Sequence, residues 1–370
     1  MPRLRDVHLP DVQPAGRGVL HGVHGKGTFG RTARQVNAQA RLDELGFGIA
    51  VGHATDAAGA TGLTVVRGVT APLRASAHVL GRATGSRELA LLDPSAHGDR
   101  VDAIMLTGGS AYGLDAAAGV MRWMEDRGRG YAVPGGVVPI VPAAVLFDLA
   151  PLGRFDARPT ADMAYRACND AKTSGIEEGS VGAGTGCTVG KVAGPARCMK
   201  GGLGVAMAGA PGKDGVMAVA IVAVNSVGHV RDMDGKIIAG PRGDDDIPGD
   251  AERAIAAAPP PRAAAAANTT LAVVALNVAL TKVELHQLAR AASAAYYRRI
   301  GPAGTSFDGD VIFAVAPMEG RSGALLQAEV AAVEAIEAAI IRGVRLAKGR
   351  DGIPGLADSQ KSRGERGAGS

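Results

Sequence analysis

The sequence predicts a layered α+β fold. Strand-like segments outnumber crossover helices and come in runs, which favours packed sheets and helices over a doubly wound parallel sheet. The segments are short and bounded by glycine, and glycine is the compositional outlier, 54 of 370 residues. That is about twice the usual share of ~7%. There is no Gly-X-Y period, so these glycines serve turns, close packing and backbone approach to a ligand. Aromatic residues are only 3%, so the core is built from Ala, Val, Leu and Ile. At roughly 150 residues per domain, the length fits two domains or one large one.

Taken in order, residues 1–40 are polar and Gly-rich without a period, an irregular arm. FGIAVGHATD (47–56) and GLTVVRGVT (62–70) read as strands. VDAIMLTGG (101–109) is a buried strand ending in a glycine pair. From Ser110 a helical pattern runs to a stop at Gly128. VVPIVPAAVLFDLA (137–150) is extended and broken by prolines, TADMAYRACNDAK (160–172) is a helix, and 215–230 is a strand, a turn and the start of another strand. Residues 241–268 are charged, then Pro-rich, then Ala-rich, the composition of a flexible linker. The pattern restarts with TTLAVVALNVAL. A capping box at Thr281–Glu284 opens a helix over 283–300. DVIFAVAP (310–317) is a strand, 323–347 is a long amphipathic helix, and 349–370 is a disordered tail.

Several function classes are excluded or disfavoured. Forty basic and 36 acidic residues are interspersed, for a net charge of +4. With no basic stripe and few aromatics, no nucleic-acid partner is expected. Cys168, Cys187 and Cys198 lack metal-site spacing and read as small buried residues of a reducing compartment. The histidines form no HExxH pair, so no metal is expected. The N-terminus has no apolar signal region, and the longest apolar stretches, such as 216–224, fall well short of the ~18 residues of a membrane span. The expectation is a soluble cytoplasmic protein with no membrane partner and no cofactor.

Three constellations carry possible chemistry. GAGTGCTVGK (182–191) fails the phosphate-loop pattern, which needs Gly where Thr185 stands and Ser or Thr where Val192 stands. What remains is a tight turn presenting Lys191 in an apolar setting. Asn268-Thr269-Thr270 lies where the linker meets a strand. It reads either as a loop end, or as an autoproteolytic site at which a hydroxyl attacks its own preceding carbonyl. In the second reading Thr269 gains an α-amine with a reference pKa of about 7.7–8.0, suited to act as base. Asp308-Gly309-Asp310 is either a solvated turn or two carboxylates flanking one pocket; no ladder of further ligands follows, which excludes an EF-hand loop.

The blocks LTGGSAYGLDAAAGV (106–120), GAGTGCTVGK (182–191) and VNSVGHV (224–230) resemble those of the self-processing family of L-aminopeptidase/D-Ala-esterase/amidase and the β-peptidyl aminopeptidases. NTTLAVVALNVALTKVELHQLA (268–289) and FDGDVIFAV (307–315) are more similar to its nylon-oligomer hydrolase branch. The resemblance spans roughly 45–347. It implies a four-layer αββα sandwich made of two interleaved fragments, 41–268 and 269–348, of one self-cleaved chain. It also implies a homo-oligomer, a tetramer.

Site residues carry over one by one. Thr269 matches the nucleophile exposed by cleavage after Asn268, Lys191 the active-site lysine, and Asn225 the active-site asparagine. Asp308 and Asp310 match the acidic pair of the nylon-oligomer branch. Phe147 stands where the family commonly has Tyr, so a phenolic donor is missing from the substrate-binding surface. By residue type, Lys191 keeps the Thr269 amine neutral and bonds its hydroxyl, and Asn225 donates to the oxyanion. The acidic pair orients Thr269 and attracts a cationic substrate end. The implied activity is hydrolysis of amide bonds in short peptides or ω-amino-acid oligomers. The rivals are an N-acyltransferase of the ornithine acetyltransferase type and a non-catalytic relative.

Overall fold

The computed structural model describes residues 41–210, 215–257 and 268–358. The expected N-terminal arm and parts of the linker (258–267) and tail (359–370) lie outside them. The strands that build the frame are β1 (Ile49–Asp56), β2 (Thr61–Gly68), β3 (Leu73–Val79), β4 (Gly85–Arg87), β5 (Arg100–Val101) and β6 (Ala103–Thr107). Helix α1 (Ala117–Glu125), β7 (Ala143–Val145), α2 (Ala161–Asn169), β8 (Gly202–Gly209), β9 (Met217–Asn225) and α3 (Ala251–Ala257) follow. The chain continues with β10 (Thr269–Leu276), α4 (Lys282–Ala292), α5 (Ala294–Arg299), β11 (Val311–Pro317) and α6 (Leu325–Arg345).

Two mixed sheets carry these strands, in the orders β1-β2-β6-β7-β4 and β8-β9-β10-β11-β3-β5. Only β6–β7 and β10–β11 pair in parallel among these neighbours. The sheets face each other across one apolar layer that includes Ile49, Val66 and Ile104 from the first and Ile221, Val273 and Phe313 from the second. The other face of the second sheet packs against α4, α5 and α6 through residues such as Val274, Leu288 and Ile340. The other face of the first packs against α1 and α2 through Val65, Met105, Val120 and Met163. The order is therefore helices, sheet, sheet, helices. Burial on both faces is why β9 and β10 read as unbroken apolar runs rather than alternating ones; every residue of both is buried. Strands from either side of residue 268 interleave in the second sheet, with β10 and β11 lying between β9 and β3.

Five expectations are corrected. The apolar run 101–109 is two strands in different sheets, divided at buried Asp102. Its carboxylate accepts the Ile140 N–H at 2.9 Å and pairs with Arg100, so a polar anchor sits where the chain changes sheets. The helix after Gly109 begins as a 3-10 turn, Ser110–Ala116. The helix expected over 283–300 breaks at Ser293, whose hydroxyl donates to the Arg290 carbonyl at 2.7 Å and competes with the helical ladder. The linker contains α3, with the Asp250 carboxylate accepting the N–H groups of Glu252 and Arg253. The start of the tail also packs: Ile353 is buried and the Pro354 carbonyl accepts the Lys200 N–H. Among the described residues no helix is long and apolar enough to cross a membrane.

Candidate active site

The second sheet brings the sequence-selected residues together at one end of β9, β10 and β11. Asn225 is the last residue of β9 and pairs across the antiparallel ladder with Thr269, the first of β10. Asn268 forms a parallel bridge with Asp308, three residues before β11. Lys191 reaches the same end from a 3-10 turn (Lys191–Ala193) that follows Gly190. Gly190 has φ +77°, and a Cβ there would lie 2.1 Å from the Gly240 carbonyl carbon, so only glycine makes this turn. Thr269, Asn225, Lys191, Asp308 and Asp310 are all buried.

The contacts are specific. The Thr269 hydroxyl donates to the carbonyl of its own preceding residue, Asn268, at 2.5 Å. The same carbonyl accepts the Gly309 N–H at 2.9 Å. Gly309 has no room for a side chain, because a Cβ would sit 2.6 Å from Thr269 Oγ1. The Lys191 ammonium donates to the Thr188 carbonyl at 3.1 Å, the Asn225 carbonyl at 2.9 Å and Asn225 Oδ1 at 2.8 Å. Asn225 Oδ1 also accepts the Thr188 N–H at 3.0 Å, and its Nδ2 donates to the Phe147 carbonyl at 3.0 Å. The network thus fixes which end of the carboxamide is oxygen.

The contacts bear on three of the assigned roles. Lys191 spends its three donors on carbonyl oxygens and the Asn225 amide, rather than on the Thr269 hydroxyl. Asp308 and Asp310 are buried, as Thr269 is. Asp310 Oδ1 accepts the Thr270 N–H at 2.6 Å and Oδ2 the Gly304 N–H at 3.0 Å, while Asp308 accepts the Thr305 N–H at 2.7 Å. They hold the strand that starts at Thr269 and the loop beside it. Phe147 is half-buried, and its backbone carbonyl is what touches Asn225.

Burial sets the protonation chemistry. It pulls the Lys191 ammonium down to about 8. It pushes the Asp310 carboxyl up to about 7, with the Asp308 carboxylate adding repulsion. Both groups therefore titrate near neutral pH, where a proton-transfer site operates.

Sequence reasoning passed over Gly309, Asp148, Lys200 and Tyr296. Asp148, next to Phe147, is buried and accepts the Gly109 N–H and the Thr61 hydroxyl, both at 2.7 Å, and burial raises it to about 6. Tyr296 donates to the Thr270 carbonyl at 3.1 Å from beneath the sheet. The signal for Asp148 was its place in the Phe147 block; Tyr296 had none. Among the described residues one trio of possible metal ligands occurs, His229, Asp250 and Glu252. His229 Nδ1 already accepts the Ala251 N–H at 3.0 Å, and Glu252 pairs with Arg231 at 2.8 Å. That geometry caps α3.

Two solved structures share the fold. The L-aminopeptidase D-Ala-esterase/amidase of Ochrobactrum anthropi, described as a variant of the Ntn hydrolase fold, matches with TM-score 0.62 at 20% identity, over 88% of this chain and 97% of that one. A Burkholderia sp. beta-aminopeptidase matches with TM-score 0.61 at 21% identity, over 90% and 99%.

The profile of Peptidase family S58 matches residues 47–357, and the chain belongs to that family. It is 37% identical over 343 residues to an uncharacterized aminopeptidase of Mycobacterium leprae (strain TN), covering 83% of this chain and 91% of that protein. It is 32% identical over 284 residues to the 6-aminohexanoate-oligomer endohydrolase of Kocuria sp. (strain KY2), covering 72% of each. The protein is a hydrolase of peptide or amide bonds.

Proposed function

We propose that the chain cleaves itself between Asn268 and Thr269, and that Thr269 then serves as the N-terminal nucleophile of an amide hydrolase. The observation that carries this reading is the Thr269 hydroxyl lying 2.5 Å from the Asn268 carbonyl oxygen, which the Gly309 N–H also holds. In the first step Oγ1 attacks the Asn268 carbonyl carbon and its proton passes to the departing Thr269 nitrogen. The C–N bond breaks, leaving an ester and a free α-amine. Water cleaves the ester, giving an Asn268 carboxylate and the free hydroxyl.

In turnover the same oxygen attacks a substrate amide, and the α-amine takes the hydroxyl proton and delivers it to the leaving amine. Water then releases the acyl group. The Gly309 N–H is positioned to stabilise the oxyanion of the first step, a contribution of about 3–4 kcal/mol for a single preorganised donor. The Lys191 ammonium beside Asn225 disfavours protonation of a nearby amine, keeping it neutral and free to accept a proton.

Short amides with a free amine are the substrate class proposed, in a homo-oligomer, a tetramer, located in the cytoplasm. The relatives' names span aminopeptidases and a 6-aminohexanoate-oligomer endohydrolase, so both kinds of amide belong in the test. Intact mass and N-terminal sequencing of the purified protein are expected to give fragments 1–268 and 269–370. A single unsplit mass would end this reading. Thr269→Ala is expected to stay whole, and Thr269→Ser to retain some splitting. The split enzyme is then assayed on 6-aminohexanoate oligomers, β-peptides and L-amino-acid p-nitroanilides. Turnover of the p-nitroanilides alone would assign it to the aminopeptidase side.

A further inference from the structure

We propose that Lys200 is a positioning residue for this site, holding the Asn225 carboxamide in place through a single peptide plane. The inference rests on the reading above, in which Asn225 and Lys191 serve Thr269. Lys200 pairs with Thr188 in a two-stranded ribbon, Thr188–Val189 with Met199–Lys200, and is 1% exposed. Its ammonium donates to the carbonyls of Gly184 at 3.2 Å, Cys187 at 3.0 Å and Gly201 at 3.1 Å. An ammonium has three donors, so all are used.

The Cys187 carbonyl is the informative partner. It also accepts the Gly201 N–H at 2.9 Å, so both its lone pairs are engaged. This carbonyl and the Thr188 N–H belong to one planar peptide unit. The Thr188 N–H is the group that donates to Asn225 Oδ1 at 3.0 Å. One peptide plane is therefore gripped at its oxygen by Lys200 and at its nitrogen by Asn225. A cation on the oxygen polarises the unit and strengthens its N–H as a donor. The next carbonyl along, that of Thr188, accepts Lys191 at 3.1 Å.

Lys200 spends its three donors on carbonyls rather than on Asn225 or Lys191, yet it grips the peptide plane that Asn225 binds, and Lys191 binds the next carbonyl along. Burying an ammonium against carbonyl dipoles costs stability that an apolar side chain of the same length would not. A role in packing alone leaves that cost unexplained; a role in orienting the Cys187–Thr188 peptide accounts for it.

The test is a double-mutant cycle in the full-length chain: Lys200→Met, Asn225→Ala and the pair, with Lys200→Arg as a second variant. Splitting is followed by intact mass, and kcat and KM are measured on whichever amide the wild type turns over. Protection of the Thr188 amide is measured by hydrogen exchange. Lys200→Met is expected to lower kcat roughly tenfold to a hundredfold, as a displaced catalytic group does, with KM nearly unchanged. It is expected to add nothing in the Asn225→Ala background and to lower protection at Thr188. Lys200→Arg keeps the charge with the wrong shape and is expected to fall between.

If the loss persists undiminished in the Asn225→Ala background, or Thr188 protection is unchanged, the proposal is overturned. Should Lys200→Met not fold, Lys200→Arg carries the same cycle and the same exchange measurement. A wild type that neither splits nor turns over an amide refutes the nucleophile reading instead; Thr188 exchange needs no activity and still decides the role of Lys200.

Discussion

Lys191 has three ammonium hydrogens and three acceptors for them, two of which belong to Asn225. Removing either side chain takes a buried hydrogen-bond partner from the other as well as a proposed function. Lys191→Ala and Asn225→Ala are therefore each expected to reduce turnover by about a hundredfold or more. The measurement is steady-state kinetics on protein shown by mass to be split; near wild-type rates in either variant would remove it from the machinery. The same contacts set a pH dependence. Both Asp310 oxygens accept backbone N–H groups, an arrangement of the carboxylate form, which is lost as pH falls through about 7. All three Lys191 bonds require the ammonium form, which is lost as pH rises through about 8. In the proposed mechanism the α-amine of Thr269 must also be neutral, which adds to the acid limb. Activity is expected to follow a narrow bell between these limbs. A kcat/KM profile flat from about pH 6 to 9 would contradict both assignments.

Helix α6 lies against β8 at a distance only glycine permits. A Cβ at Gly204 would stand 2.0 Å from the Ala339 carbonyl oxygen and 2.5 Å from the Gly343 N. Both atoms are helix backbone and cannot swing aside. Gly204→Ala is expected to destabilise the protein by about 3 kcal/mol, at the upper end for an overpacked core position. Urea unfolding in a Thr269→Ala background keeps the chain whole for this comparison, and an unchanged midpoint would show that α6 can shift without cost. The element scale also shows what sequence pattern could reach. β10 and β11 were legible as apolar runs rich in β-branched residues, α4 by its Thr281–Glu284 capping box, and α6 by its amphipathic period. The break at Ser293 and the sheet change at Asp102 were not, because a hydroxyl or a carboxylate inside an apolar stretch has no local sign of which backbone group it will bond.

For the whole molecule, the proposed cut falls at the start of a central strand of one sheet rather than between domains. β10 begins at Thr269 and is hydrogen-bonded along its length to β9 on one side and β11 on the other. Fragments 1–268 and 269–370 would therefore share one sheet and both major apolar layers. They are expected to co-elute in native size exclusion, at a mass set by the oligomer, and to separate only in denaturant. Separation of split protein into two peaks under native conditions would show that the interleaved sheet does not hold after cleavage. Light scattering on the same sample checks the proposed tetramer.

The sequence by itself determined the class of fold, the strands and helices with strong periods, the family, and the residues that meet at the site. Thr269, Lys191, Asp308 and Asp310 stand out because hydroxyl, amine and carboxylate groups are conspicuous against glycine and apolar neighbours, whereas Asn225 enters through the family resemblance. Only the tertiary structure decided how they are joined. Lys191 donates to carbonyls and the Asn225 amide, the two carboxylates hold backbone N–H groups, and Gly309 supplies a donor on the Asn268 carbonyl. Lys200 and Asp148 enter for the same reason. The physical cause is that these are bonds to backbone groups distant in sequence. A side chain's identity says what it can donate or accept, and only the folded sheet says which peptide stands within 3 Å of it.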